Sequence, residues 1–380
     1  MASKTERKKR GFLNKEGRLD IPFLSLVLIL LTIGLIMLFS ASYAYSLEYY
    51  NSSFKFIRQQ LIFAVLGLIA MYVLSRIDYH FWRKFGPALY VVTVVMLGIL
   101  LIMPPMIPDL GVKRWIVIGS FSFQPSEIAK FAIILFFSSL ISANYKKMGE
   151  FKFVLLLGVL LVIPCILIIR EPHLSATLLV AFIGIILMVV GGLKKIYILA
   201  GGGMVVGGGI LAIVTGVVGY GGDRIKYWRD PWLDPTGKGF QTIQSLLAIG
   251  SGGILGRGIG QSRQKYLWVP EPHNDFIFSI VCEELGLIGA MIIILIFALL
   301  VWRGFSIAMH APDKFGSLLA IGLTAQVGIQ AILNIWVVTN TIPNTGISLP
   351  FFSYGGTSLF MLLAEMGLVL SVSRSSNVQK

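Results

Sequence analysis

The chain has 380 residues, 56% of them hydrophobic and only 13% charged, with 32 Lys and Arg against 18 Asp and Glu. Soluble domains carry about 25% charged residues, so this composition, with a mean hydropathy of +0.82, excludes an ordinary soluble enzyme. The net charge of +14 would suit a nucleic-acid binder, but the cations follow loop position instead, and no nucleic-acid partner is expected.

Lys4, Arg7, Lys8, Lys9, Arg10, Lys15 and Arg18 precede the first apolar run, 21–43. That run exceeds about 20 residues and lacks a small-residue cleavage site, so it reads as a retained span and not a signal peptide. Runs suited to crossing about 30 Å of hydrocarbon recur at 57–75, 84–104, 126–143, 153–169, 174–192, 196–219, 275–301, 315–339 and 350–373. Arg170-Glu171-Pro172-His173 makes a tight turn between two of them, with Arg170 and Glu171 as a plausible pair. Basic residues fill every second loop: Arg76, Arg83 and Lys84, then Lys146 and Lys147, Lys194 and Lys195, Arg303 and Lys314, and finally Arg374 and Lys380. By the positive-inside rule both termini are cytoplasmic. The expected fold is an all-α integral membrane protein of about ten transmembrane helices, with one large extracytoplasmic loop between helices 7 and 8. It divides into a basic N-terminus (1–20), one polytopic membrane domain (21–373, with the loop at 220–274) and a cytoplasmic tail (374–380). Cys165 and Cys282 fall inside spans, as small buried hydrophobes.

Two outer loops break the charge rule. The loop 105–125 carries Lys113 and Arg114, and the long loop carries Arg224, Lys226, Arg229, Lys238, Arg257, Arg263 and Lys265. Long loops can cross regardless of charge; the sharper reading is an anionic ligand such as a phosphate, pyrophosphate or lipid head group. Thr236-Gly237-Lys238 is not a phosphate loop, because the upstream Gly is missing and Gly239 stands where Ser or Thr should follow. Residues 240–249 suit a short helix on or dipping into the membrane. Gly250, Gly252, Gly253, Gly256, Gly258 and Gly260 then suggest tight turning or close backbone approach.

Ionisable residues inside spans are costly and default to functional hypotheses. Glu127 and Lys130, at i and i+3, can pair on one helical face. Asp275, Ser279 and Glu283 recur at i, i+4 and i+8 as one stripe, with Asp275 at the helix start, where it could instead cap the helix. Glu283 would lie roughly 12 Å deeper, too far for the two-carboxylate geometry of glycosidases. Gln326, Gln330 and Asn334 read as polar glue between helices, and Gly203 with Gly207 as a packing face. His80 and His310 have no metal-site neighbours, and His273 beside Asp275 is weak evidence for one. Residues 343–358, rich in hydroxyls and glycine, offer an anion-friendly helix start that includes Ser353.

Several strings together resemble the SEDS family (shape, elongation, division and sporulation). They are Gly111-Val112-Lys113-Arg114-Trp115-Ile116, Phe123-Gln124-Pro125-Ser126-Glu127 with Lys130, and Gly239-Phe240-Gln241 with Gln244-Ser245. Gly250-Ser251-Gly252-Gly253, Pro270-Glu271-Pro272-His273-Asn274-Asp275-Phe276 and Glu283-Glu284-Leu285-Gly286 follow. Leu349-Pro350-Phe351 with Ser353-Tyr354-Gly355-Gly356 completes the set, and residues 260–265 look closer to the FtsW and SpoVE branch than to RodA. The resemblance implies a peptidoglycan glycosyltransferase that polymerises lipid II, an undecaprenyl-pyrophosphate disaccharide-pentapeptide, in the bacterial cytoplasmic membrane. It carries the catalytic aspartate to Asp275, the Gly-x-x-Arg-Trp tryptophan to Trp115, and a cavity-lining pair to Glu127 and Lys130. It further implies a class B penicillin-binding protein and other division or elongation membrane proteins as partners, and a divalent cation (Mg or Mn) at Asp275 or Glu271. The expected substrate-binding set is Lys113, Arg114, Trp115, Glu127, Lys130, Arg224, Arg257, Arg263, Lys265, Glu271, His273 and Ser353. One departure stands out: many relatives have Asp after Glu-Pro, where this chain has His173. A lipid flippase or transporter, and a non-catalytic division scaffold, are the alternative readings.

Overall fold

A computed structural model describes residues 17–104, 114–118, 121–171, 173–198 and 219–376. Long apolar helices dominate it. They are α1 (Ile21–Tyr50), α2 (Lys55–Arg76), the short α3 (His80–Arg83), α4 (Gly86–Ile102), α5 (Pro125–Ala143), α6 (Phe151–Arg170) and α7 (Leu174–Val190). After residue 218 come α8 (Gly219–Arg229), α9 (Phe240–Gly252), α10 (Ile277–Met309), α11 (Lys314–Val338) and α12 (Gly356–Ser375). Seven of these are long and apolar enough to cross a membrane, and α4 and α7 are shorter apolar helices at expected spans. Together they match nine of the ten expected runs. The remaining run, 196–219, falls almost wholly outside the described residues, and Gly203 and Gly207 with it. One departure from an all-α fold is a small antiparallel hairpin, β1 (Ile116–Ile118) with β2 (Phe121–Phe123), Ile116 facing Phe123.

Helix ends follow capping chemistry. Asp20 accepts from Phe23 N at 3.0 Å and so caps α1, while Asn51 ends that helix in the left-handed region (φ 52°). The same buried Asp20 carboxylate receives Arg303 of α10 at 2.8 Å, tying the first helix to the tenth. α11 and α12 form the interior, α12 lying along α2, and α11 between α10, α5 and α7. Leu61, Ile62, Val65 and Leu66 of α2, and Leu155, Val159 and Val162 of α6, stay exposed. Such apolar outward faces suit lipid and not water.

α10 is 33 residues long, about 50 Å at 1.5 Å per residue, more than a bilayer core of about 30 Å requires. It breaks at Gly286 (φ 68°), and the segment 287–309 alone suffices to span. The first part, 277–285, is buried but for a half-buried Leu285, and it packs against α1, whose Ser40 meets Glu284 at 2.6 Å. At the break the chain 253–258 runs beside the helix. Leu287 N donates to Gly253 O (2.9 Å) and Arg257 N to Glu283 O (3.0 Å). A Cβ on Gly286 would strike the backbone of Gly256 and Ile254, so only glycine permits this approach.

On the opposite face His80 lies between two carboxylates, Nδ1 at 2.6 Å from Asp78 and Nε2 at 2.9 Å from Asp313, with the Tyr79 hydroxyl also on Asp313. This clip joins the α2–α4 connection to the start of α11. Partial burial lowers the imidazole's pKa, but hydrogen bonds to Asp313 and Asp78 outweigh it and raise it to about 9. A raised folded-state value stabilises fully below the ordinary 6.5 and is lost as pH rises through about 9. The unfolding midpoint in detergent should therefore fall between pH 7 and pH 9.5 in the wild type more steeply than in His80→Ala; equal slopes would contradict the clip.

Candidate active site

Asp275 lies in a turn (270–276) just before α10, and not within it. The helix is capped by Phe276 without any side-chain hydrogen bond, so neither Asn274 nor Asp275 serves as a cap. Asn274 instead donates to Glu271 at 2.9 Å. The Asp275 carboxylate accepts no hydrogen bond among the described residues. Its backbone, in contrast, is held firmly: Asn334 Nδ2 donates to Asp275 O (2.7 Å) and to Ile347 O (2.6 Å). Ser353 Oγ donates to Asn274 O (2.9 Å) while accepting from Leu349 N (2.7 Å), and Tyr354 N donates to His273 O (2.8 Å). Gly346 (φ 69°) lies so close that a Cβ there would sit 3.1 Å from Asp275 Oδ2.

This aspartate lines a cavity of ≈ 950 Å³ together with Glu271, Asn274, Arg114, Trp115, Gln124, Glu127, Lys130, His173, Gln330 and Ser348. Ile62, Phe63 and Leu66 of α2 form its apolar wall, and Ile62 and Leu66 also belong to the exposed apolar belt. The cavity therefore communicates with the surface that faces lipid, and it offers a polar end and a greasy flank. Burial raises the Asp275 pKa to about 6, against the pull of Arg114 and with the support of Glu271. His173 accepts from Gln124 Nε2 at Nδ1 (3.1 Å), and burial with Arg114 and Lys130 nearby lowers it to about 3. It is a neutral imidazole in the cavity wall. Beside it Glu171 is fully buried and raised by that burial to about 8, opposed by Arg114, so it is uncharged at neutral pH. It makes no ion pair with Arg170 among the described residues.

The expected site residues divide into two groups. Arg114, Trp115, Glu127, Lys130, Glu271 and Asp275 meet in the cavity, where Lys130 bridges Glu127 (2.8 Å) and Gln330 Oε1 (3.2 Å), and Ser358 donates to Glu127 (2.8 Å). The others have different partners. Lys265 is buried against Glu284 at 3.0 Å, and Arg257 lies 3.7 Å from Glu283 and 3.1 Å from Ser251 O. Glu283 also accepts Arg263 N (3.0 Å) and Gln264 N (3.3 Å), while the Arg263 side chain is exposed. Glu283 thus folds the outer loop and shares no stripe with Asp275. Arg224 donates to Asn344 O at 3.2 Å, outside the cavity. His273 packs among Tyr45, Phe56 and Tyr354, ring centroids 4.9, 4.2 and 5.9 Å away, and turns no face to the cavity. Ser353 is a strut between loops, as described above. Lys113 lies outside the described residues.

Among the described residues no group of three or more His, Cys, Asp or Glu side chains could hold a metal ion. Glu271 and Asp275 do share the cavity wall, and two carboxylates completed by phosphate oxygens suffice for Mg²⁺. In the sequence Gln124 stands only within a family string and Gly346 only within a glycine-rich loop, neither with a site role, and Asn334 reads only as glue. A lone glycine and an amide carry little signal until the loops they join are seen.

The chain as a whole has close counterparts. A family described as "Cell cycle protein" (FtsW, RodA, SpoVE) matches residues 22–378. Stage V sporulation protein E of Bacillus subtilis (strain 168) is 42% identical over 364 residues, covering 94% of this chain and 97% of the relative. A probable peptidoglycan glycosyltransferase FtsW of Geobacter sp. (strain M18) is 38% identical over 361 residues, covering 93% and 96%. Among solved structures, a chain from work on the structural coordination of polymerization and crosslinking by a peptidoglycan synthase complex superposes with TM-score 0.76 at 28% identity, covering 94% and 98%. The rod shape determining protein RodA of Thermus thermophilus gives 0.69 at 26%, also covering 94% and 98%.

If Lys265 belongs to the scaffold, Lys265→Met leaves Glu284 buried without its cation and costs about 3–5 kcal/mol of stability. The check is the unfolding midpoint in detergent, which should drop clearly. An unchanged midpoint would return Lys265 to the list of ligand-binding cations.

Proposed function

The chain belongs to the FtsW/RodA/SpoVE family of cell cycle proteins, and on that premise we propose that it is a peptidoglycan glycosyltransferase with its transfer site in the Asp275 cavity. The observation that carries the reading is a partly buried carboxylate, held by its backbone but with its oxygens uncommitted, at the edge of a cavity that has cations and a lipid-facing wall. The substrate is lipid II, whose pyrophosphate and sugars suit the polar end and whose polyprenyl tail suits the α2 flank. The loop-charge pattern supports an Asp275 face outside the bacterial cytoplasmic membrane, with both termini inside.

Asp275 acts as general base. It takes the proton from the acceptor GlcNAc 4-hydroxyl, whose oxygen attacks the anomeric carbon of the growing strand with inversion. The C–O bond to the pyrophosphate breaks as the new glycosidic bond forms, and the pyrophosphate leaves as an anion. That leaving group needs charge stabilisation more than a proton, and Arg114 and Lys130 supply it. A base raised to about 6 by burial is ionised at neutral pH yet more basic than an ordinary carboxylate. Glu271, with Asp275, would hold a divalent cation, Mg²⁺ or Mn²⁺, which when bound neutralises pyrophosphate charge. His173, uncharged, leaves the cavity's positive charge to Arg114 and Lys130. A class B penicillin-binding protein is the expected partner, in keeping with the synthase complex that contains a structural relative.

The test is glycan polymerisation from purified lipid II, with and without such a partner. Asp275→Asn should lose at least about 10²-fold, the scale of general-base catalysis, with an unchanged unfolding midpoint. Wild-type turnover should fall as pH drops below about 6, because protonation removes the base. A folded Asp275→Asn that polymerises normally would sink the assignment. Flipping of lipid II without polymerisation would favour a transporter instead.

A further inference from the structure

A second, smaller cavity continues the first toward the middle of the bundle. Both are lined by Glu127, Lys130, Gln330 and Ser358, and the inner one ends on Glu365 and Gln326. Glu365 lies nine residues beyond the first residue of α12, about 14 Å along the helix, and hence near the centre of the hydrocarbon layer. It is 2% exposed, and its Oε2 accepts from Gln326 Nε2 at 2.8 Å. Gln326 is 3% exposed, and its own carbonyl Oε1 has no hydrogen-bond partner. A buried acceptor left without a donor is costly and calls for an occupant.

Charge makes the same demand. The charged side chains lining the inner cavity are Glu127, Lys130 and Glu365, and the first two are also the ones that bear electrostatically on the third. Lys130 is committed to Glu127 at 2.8 Å and to Gln330 at 3.2 Å. Two carboxylates against one ammonium leave a net negative charge in a low-dielectric interior, where an unpaired ion is expensive. The volume, ≈ 30 Å³, is room for two or three water-sized bodies at about 10–15 Å³ each, which excludes an organic ligand. The uncommitted donors are hard oxygens, and Met361 is the one soft ligand among the lining residues, with no His or Cys beside it, which favours a hard cation.

We propose that this inner cavity is a binding site for one monovalent cation, a proton or Na⁺, held between the Glu365 carboxylate and the Gln326 carbonyl. Its occupant balances the charge of Glu365 and so keeps Lys130 on Glu127, at the floor of the Asp275 cavity. The inference is independent of the reaction assigned above, and its test needs no substrate.

The unfolding midpoint of the purified full-length protein is measured in rising Na⁺ at constant ionic strength, with N-methylglucamine as the replacement cation. Infrared spectra record the C=O band of protonated carboxylic acids. If Na⁺ is the occupant, it raises the wild-type midpoint, and Glu365→Gln removes the dependence. If a proton is the occupant, Na⁺ has no effect, and the wild type shows a protonated-acid band that Glu365→Gln lacks. Should Glu365→Gln not fold, Gln326→Leu replaces it, and should shift that band or weaken the Na⁺ response at least tenfold. The absence of both a Na⁺ response and a band sensitive to these substitutions would overturn the proposal.

Discussion

One carboxamide, that of Asn334, donates to the carbonyls of Asp275 and Ile347, and the geometry of the cavity depends on it. At this depth in a membrane protein, backbone outside helices survives only where protein groups satisfy it. The turn 270–276 and the loop 343–355 are two such segments, and they lie side by side. Asn334 on α11, with Ser353 between the loops, meets their backbone demands. The result is a carboxylate whose position is fixed through its main chain, so that its oxygens can remain uncommitted. Gly346 keeps the space beside those oxygens open.

Buried charge is used in two ways on this face. Glu283 and Glu284 gather Lys265, Arg257, Ser262 and Ser40 into a network that pins the outer loop against the broken start of α10. Glu127, Lys130 and Arg114 lie instead around open volume. The two sets look alike as sequence, since each mixes acidic and basic residues at the outer end of a span. They differ in what fills the space between them: backbone in the first, a cavity in the second. The helix break at Gly286 allows the first arrangement, because it lets residues 253–258 come within backbone hydrogen-bonding distance of α10.

Much of this was legible beforehand. Hydropathy located nine of the helices that the described residues contain, because a span must be apolar over most of its length. The motif around Asp275 marked a carboxylate that lines the cavity, and the i, i+3 spacing of Glu127 and Lys130 foretold their ion pair. The outer-loop cations were not separable in the same way. Whether Lys265 faces a ligand or Glu284 depends on a contact between residues 19 apart, and the Ser40 beside them is 225 residues away. The stripe of Asp275, Ser279 and Glu283 assumed a helix beginning at Asp275, whereas α10 begins at Ile277 and Asp275 points elsewhere. Glu365 carried no local signal at all. A single acid in an apolar helix gains meaning only when Gln326 and Lys130 are seen around the same cavity.

The most direct measurement is the structure of the full-length protein with a non-hydrolysable lipid II analogue and an acceptor glycan. Pyrophosphate should lie beside Arg114 and Lys130, the polyprenyl chain along Ile62 and Leu66, and the acceptor 4-hydroxyl within about 3 Å of the Asp275 carboxylate. Pyrophosphate bound instead by Arg257 or Arg263 on the outer loop, with Asp275 remote from any sugar hydroxyl, would contradict this arrangement.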